Sequence, residues 1–156
     1  MSDKLQTELK QSKPFATREG EVILNIQRTA EALLWKVTEF LKPYDLTPTQ
    51  YNVLRILRGA GREGLICREI GERMVARDPD VTKLLDRLET RALIMRERDT
   101  KDRRIIITRI TDDGLTLLKE IDRPVIEHSR TMLGHLSAKN LDALNELLEE
   151  AREGIG

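Results

Sequence analysis

Aromatic residues make up only 3% of the 156 positions, so any core must be assembled from Leu, Ile, Val and Ala. A single cysteine, Cys67, excludes an intramolecular disulfide framework and a cysteine-based zinc site. The only histidines, His128 and His135, leave little material for metal or triad chemistry. Glu127 beside them adds no cysteine and no H-x3-H spacing, so no metal or other cofactor is expected. Neither a nucleophile–base pair nor a pair of working carboxylates stands out, which argues against an enzyme. No apolar run approaches the ~18–20 residues of a membrane span. The opening Met1-Ser2-Asp3-Lys4-Leu5-Gln6 has no signal-like apolar stretch. The expectation is a cytoplasmic protein without a membrane partner.

Net charge is missing as well, because 27 Lys and Arg balance 27 Asp and Glu. The balance is uneven along the chain: +2 over residues 1–61, +3 over 62–111 and −5 over 112–156. Between positions 96 and 109, six cations (Arg96, Arg98, Lys101, Arg103, Arg104, Arg109) face three anions (Glu97, Asp99, Asp102). A neutral chain can therefore still present a basic middle to a polyanion.

What is present is helical periodicity. Residues 1–16 are polar and read as a loose arm. From Thr17, apolar residues recur at three- and four-residue spacing through Leu41, and Lys42-Pro43 ends the run. Thr47-Pro48-Thr49-Gln50 combines a capping residue, a proline suited to the first turn and a Gln that completes a capping box. That helix stops at Gly59-Ala60-Gly61. Gly64-Leu65-Ile66 suits a very short strand, and 68–75 a short helix with Ile70, Met74 and Val75 inward. Asp78-Pro79 then starts another helix, with Val81, Leu84, Leu85 and Leu88 inward and Asp80, Lys83 and Arg87 on the solvent stripe. Two helices joined by a turn of three or four residues make a helix-turn-helix.

Residues 94–98 and 104–110 follow as β-rich runs around the polar turn Asp99–Arg103. A basic hairpin directly after a helix-turn-helix makes a winged helix. Thr111-Asp112-Asp113-Gly114 starts a long helix containing Pro124, where a kink is expected. Ser137 caps a last helix striped by Leu141, Leu144, Leu147, Leu148 and Ala151. The outer helices carry more apolar surface than the central module can cover. Each buried Leu contributes roughly 1.5–3 kcal/mol, so a two-fold dimer through these helices is expected. The alternative is a monomer whose termini fold back on one core.

Asp102-Arg103-Arg104 followed by Ile110-Thr111-Asp112-Asp113-Gly114 resembles the D-x-R and L/I-T-x-x-G pattern of the MarR family of bacterial transcription regulators. Leu46–Leu54 and Val81–Glu89 resemble that family's second helix and recognition helix, and the likeness runs in order over about 20–150. It implies a mainly α fold with a small β-wing. It also implies a single domain over 1–156, with a winged helix-turn-helix lobe at 46–111 and dimerisation helices at 17–42 and 112–153. The function implied is a homodimeric regulator, expected to be a repressor, that reads a pseudo-palindromic operator in double-stranded DNA. A small aromatic or anionic ligand is implied as its effector. The alternative reading is a winged-helix interaction module without specific DNA readout. Three departures from the family pattern stand out: Ala92 where glycine is usual, Cys67 where a Ser or Thr cap is usual, and Arg77-Asp78-Pro79-Asp80 before the recognition helix.

The major groove admits a helix and displays a distinct code of donors and acceptors. Lys83 and Arg87 can donate to guanine or phosphate, Asp80 can accept from cytosine, and Thr82 can hydrogen-bond or touch a thymine methyl. Asp80 can equally serve the positive helix N-terminus. Arg77 suits phosphate. By resemblance Arg104 is the minor-groove arginine of the wing, oriented by Asp102, with Lys101 and Arg103 as phosphate contacts. Trp35, Tyr44 and Tyr51 are candidates to line an effector pocket, with core or surface packing as the alternative. Cys67 reads as a packed thiol over a redox sensor, since family members that sense peroxides by cysteine carry it in the first helix, which has none here.

Overall fold

The computed structural model describes residues 3–155. Seven α-helices and one hairpin follow in order among them: α1 (Asp3–Glu8), α2 (Arg18–Leu41), α3 (Pro48–Ala60), α4 (Cys67–Arg73), α5 (Val81–Thr90), β1 (Ile94–Arg98), β2 (Ile106–Ile110), α6 (Asp112–Leu133) and α7 (Ala138–Glu153). The helix starts are set by side chains that satisfy otherwise orphaned N–H groups. Thr17, Thr47, Thr111 and Ser137 each accept from the backbone N–H three residues on. The Thr47–Gln50 box is closed in both directions, at 3.2 and 3.0 Å. Pro124 lies inside α6, which continues through it to Leu133.

The core lies where α3, α4, α5 and α6 meet around Leu54, Leu57, Ile70, Leu85, Leu88, Leu118 and Ile121, with Leu41 from the end of α2. Arg58 of α3 donates to both carboxylate oxygens of Asp122 of α6 at 2.9 Å, tying the central lobe to the long helix. The strands pair antiparallel from Ile94↔Ile110 to Arg98↔Ile106. Leu65 adds a one-residue bridge to Thr108, with backbone bonds of 3.0 and 2.8 Å. That bridge is the short strand expected at 64–66. It needs Gly64, since a Cβ there would lie 2.6 Å from the Thr108 carbonyl oxygen.

Several sequence expectations are corrected. The N-terminal segment is not wholly loose: α1 forms over Asp3–Glu8, Leu5 is buried, and Glu8 pairs with Arg28 at 3.0 Å. The α4–α5 connection spans residues 74–80 rather than three or four, and Val75 is 92% exposed rather than inward. Helix α5 begins after Asp80, because Asp80 caps Lys83 N–H while Asp78 accepts from Asp80 N–H. Ile66, not Cys67, is the cap residue of α4, and the Glu69 side chain accepts from Ile66 N–H at 3.1 Å.

Ala92 has φ +55°. Its N–H bonds to Glu89 O and that of Leu93 to Leu88 O, the pair of reverse bonds that closes a helix through a left-handed residue. An L side chain in that conformation costs roughly 1–2 kcal/mol, part of which glycine loses again through its freer unfolded chain. Ala92→Gly should therefore raise stability by up to about 1 kcal/mol. Thermal unfolding checks this, and a lowered Tm would contradict it.

A large apolar surface remains open on the single chain. Val22, Ile23, Leu34 and Trp35 of α2, Ile126 of α6, and Leu144 and Leu147 of α7 are all exposed. No residue of α7 is buried.

Candidate nucleic-acid interface

Leu84, Leu85 and Leu88 anchor α5 in the core, which turns Lys83 and Arg87 outward into solvent. Thr82 is exposed beside them, with its Oγ1 3.9 Å from Cys67 Sγ. Asp80 is the N-cap, so one of its oxygens is committed to Lys83 N–H at 3.0 Å. Arg77 is exposed on the connection ahead of the helix.

The wing tip is held by its own hydrogen bonds. Asp99 N–H donates to Ile105 O and Ile105 N–H to Asp102 O, both at 2.9 Å. Arg98 Nη1 donates to Arg103 O at 2.7 Å. Within this frame Arg104 makes a two-pronged ion pair with Asp102, Nε to Oδ1 at 3.0 Å and Nη2 to Oδ2 at 2.9 Å. Arg104 N–H also donates to Asp102 Oδ1. The guanidinium hydrogen bonds hold the Asp102 carboxyl below the usual carboxylate range. The Arg104 side chain is 90% exposed, so the pair presents a preorganised cation to solvent. Lys101 and Arg103 are exposed on either side of Asp102.

Arg96 is not legible from the sequence as part of this surface. Its Nη2 reaches Asp86 at 2.5 Å and Glu89 at 2.9 Å, joining β1 to α5. The only sequence signal is its membership of the basic run from 96 to 109.

The three aromatic candidates do not converge. Tyr51 is buried beside a cavity of about 620 Å³ between α2 and α3, whose wall includes Leu33, Val37, Arg55 and Val75. Burial pushes the Tyr51 hydroxyl pKa up, and the Arg55 guanidinium lies 5.8 Å from its ring centre. Trp35 borders a separate groove with Leu24, Arg28 and Glu31. One residue along a helix turns the side chain by roughly 100°, which separates Trp35 from the Leu34 that faces the Tyr51 cavity. Tyr44 packs on Phe40, ring centres 5.8 Å apart. Among the described residues no three His, Cys, Asp or Glu side chains are grouped to hold a metal, and His128 stacks on Phe40 at 4.5 Å. Among the same residues no helix is long and apolar enough to cross a membrane.

Residues 46–106, which run from the α2–α3 corner to the start of β2, match the sequence profile of the MarR family. A MarR transcription factor from Planctomyces limnophilus, solved by crystallography, is 36% identical, with a TM-score of 0.68 over 87% of this chain and 98% of that one. The chain belongs to the MarR family. It is also similar to the HTH-type transcriptional repressor MdtR of Bacillus subtilis, 36% identical over 105 residues that cover 65% of this chain and 66% of that protein. A mutant MarR from E. coli, solved in complex with operator DNA, shares the fold at 21% identity. Its TM-score is 0.76, over 87% of this chain and 99% of that one. This MarR-family chain is a transcription regulator with the mainly helical, winged architecture expected from its sequence. The matched span holds every candidate DNA contact and leaves out α2, α6 and α7.

Proposed function

We propose that this regulator acts in the cytoplasm as a homodimeric repressor of a pseudo-palindromic operator. In this reading 46–111 is the DNA-binding lobe, and 17–42 and 112–153 supply the dimerisation helices. Helix α5 enters the major groove with Lys83 and Arg87 toward base edges and Thr82 beside them. Asp80 keeps its capping role and offers its second oxygen to cytosine. Arg104 enters the neighbouring minor groove, while Arg77, Lys101 and Arg103 meet phosphate. The observation that carries the reading is the exposed Arg104 held by Asp102 at the tip of a hairpin packed beside a helix that turns Lys83 and Arg87 into solvent. Family membership favours this over an interaction module without DNA readout. The enzyme reading has no support in relatives named as transcriptional regulators.

Selection of bound fragments from the native genome, followed by titration, tests the proposal. Lys83→Ala or Arg87→Ala should weaken binding by ~1–3 kcal/mol and relax base preference where the side chain reads a base. Where it meets only phosphate, all sequences should weaken alike and the salt slope should drop by about one. Wild-type binding in both variants would put a different face against DNA.

An effector, in this reading, enters the Tyr51 cavity, where apolar walls and the Arg55 cation suit a small aromatic carboxylate. Benzoate added to the selected complex should release DNA from the wild type and not from Arg55→Ala. Release unaffected by that substitution would remove Arg55 from the site.

A further inference from the structure

Arg96 leaves β1 on the same strand face as the buried Ile94 and lies against the flank of α5. Asp86 and Glu89 are three residues apart and so share one side of that helix. Arg96 Nη2 donates to both. Its side chain is only 21% exposed, which removes it from direct competition for DNA. Beyond this clasp, the wing tip is bonded to itself through Asp99, Asp102, Arg103 and Ile105. On the β2 side the hairpin is fixed at the level of Arg96 by the Leu65–Thr108 bridge and by Arg109 Nε, which donates to Arg62 O at 2.7 Å. On the β1 side, Arg96 is the polar tie to the helix that carries Lys83 and Arg87.

We infer that Arg96 is a positioning residue for operator binding. By clasping Asp86 and Glu89 it fixes the distance between the wing arginine and the major-groove side chains of α5, so both grooves are engaged in one register. This rests on the reading of Arg104 as a minor-groove contact. A simpler role would be charge masking, since two bare carboxylates on α5 repel phosphate. The two roles predict different results. Loss of masking weakens every sequence alike, whereas loss of register removes what the wing reads. Narrow A·T-rich minor grooves attract arginine more strongly, so the ratio of affinities for A·T-flanked and G·C-flanked versions of one site reports the wing.

The experiment uses the full chain and the strongest fragment selected from genomic DNA, with its flanks recoded both ways. Dissociation constants are measured for the wild type, Arg104→Ala, Arg96→Met, Arg96→Lys and the triple variant Arg96→Met/Asp86→Asn/Glu89→Gln. Arg96→Met should lose roughly tenfold or more on the A·T-flanked site, and its flank ratio should fall to that of Arg104→Ala. The triple variant should regain affinity for all sequences without regaining the flank ratio, and Arg96→Lys should regain part of it. A wild-type flank ratio in Arg96→Met, or its full return in the triple variant, overturns the inference. A wild type that itself shows no flank ratio, with Arg104→Ala binding normally, overturns instead the minor-groove reading on which it rests. If Arg96→Met unfolds, Asp86→Asn/Glu89→Gln removes the same ion pairs and must lower the flank ratio.

Discussion

Arg104→Ala should lower operator affinity by roughly 100-fold or more, because two-fold symmetry removes two arginines at once and each charged contact is worth about tenfold or more. The melting temperature should barely move, since the Arg104 side chain is 90% exposed and touches only its own hairpin. Asp102→Ala should reproduce part of the loss. Without the carboxylate the guanidinium keeps its charge and loses the geometry set by the two-pronged pair. If Asp102 instead acted mainly by repelling phosphate, its removal would tighten binding. Titration of both variants on A·T-rich and G·C-rich flanks separates these results. Arg104→Ala binding at full strength on a folded dimer would reduce the wing to a structural hairpin.

Deletion of residues 136–156 should abolish the dimer and, with it, tight operator binding. Helix α7 buries none of its residues against its own chain, although Leu144 and Leu147 are exposed and Leu141 and Leu148 half-buried on it. Covering such leucines on two copies at roughly 1.5–3 kcal/mol each supplies an interface of ordinary strength. The central lobe has a separate core and should keep its helical signal, while the open faces of α2 and α6 drive self-association or aggregation. Sedimentation of the intact and shortened proteins checks this. An intact protein that sediments as a monomer, or a shortened one that is a well-folded, soluble monomer or still a dimer, contradicts it.

The helix starts and the hairpin are legible in the sequence because their signals are local. Thr47 and Gln50 cap one another within a single turn, and the strands around Asp99–Arg103 are marked by β-branched runs and a polar turn. The left-handed helix end at Ala92 has no such local signal, because the residue is alanine; it shows in the sequence only as a departure from the glycine usual in the family. Ambiguity enters where two local solutions compete. Asp78 and Asp80 flank a proline and either can cap; the fold uses one to cap the helix and the other to bind the cap's own N–H. Helix α2 is apolar on several sides (Val22, Ile23, Leu24, Ile26), so periodicity does not say which face meets α3. For that reason the sequence groups Trp35 with Tyr51, and the fold separates them. Helix α1 is too short for periodicity to register. Ties between distant elements, such as Arg58 to Asp122 and Arg96 to Asp86, depend on packing that no spacing rule reports.

The Asp102–Arg104 pair also bears on how salt should act on this regulator. A solvated arginine that meets DNA allows an ion condensed on the duplex to escape, and the entropy of that release makes association fall with salt. Arg104 carries its anion covalently tethered two residues away. In the proposed complex Arg104 keeps this pair and meets the groove with its remaining N–H groups, so Asp102 stays beside the DNA, where its charge retains a cation that would otherwise leave. Each wing therefore adds less to the salt dependence than its cations suggest. At high ionic strength the wing contributes a growing share of the affinity that survives.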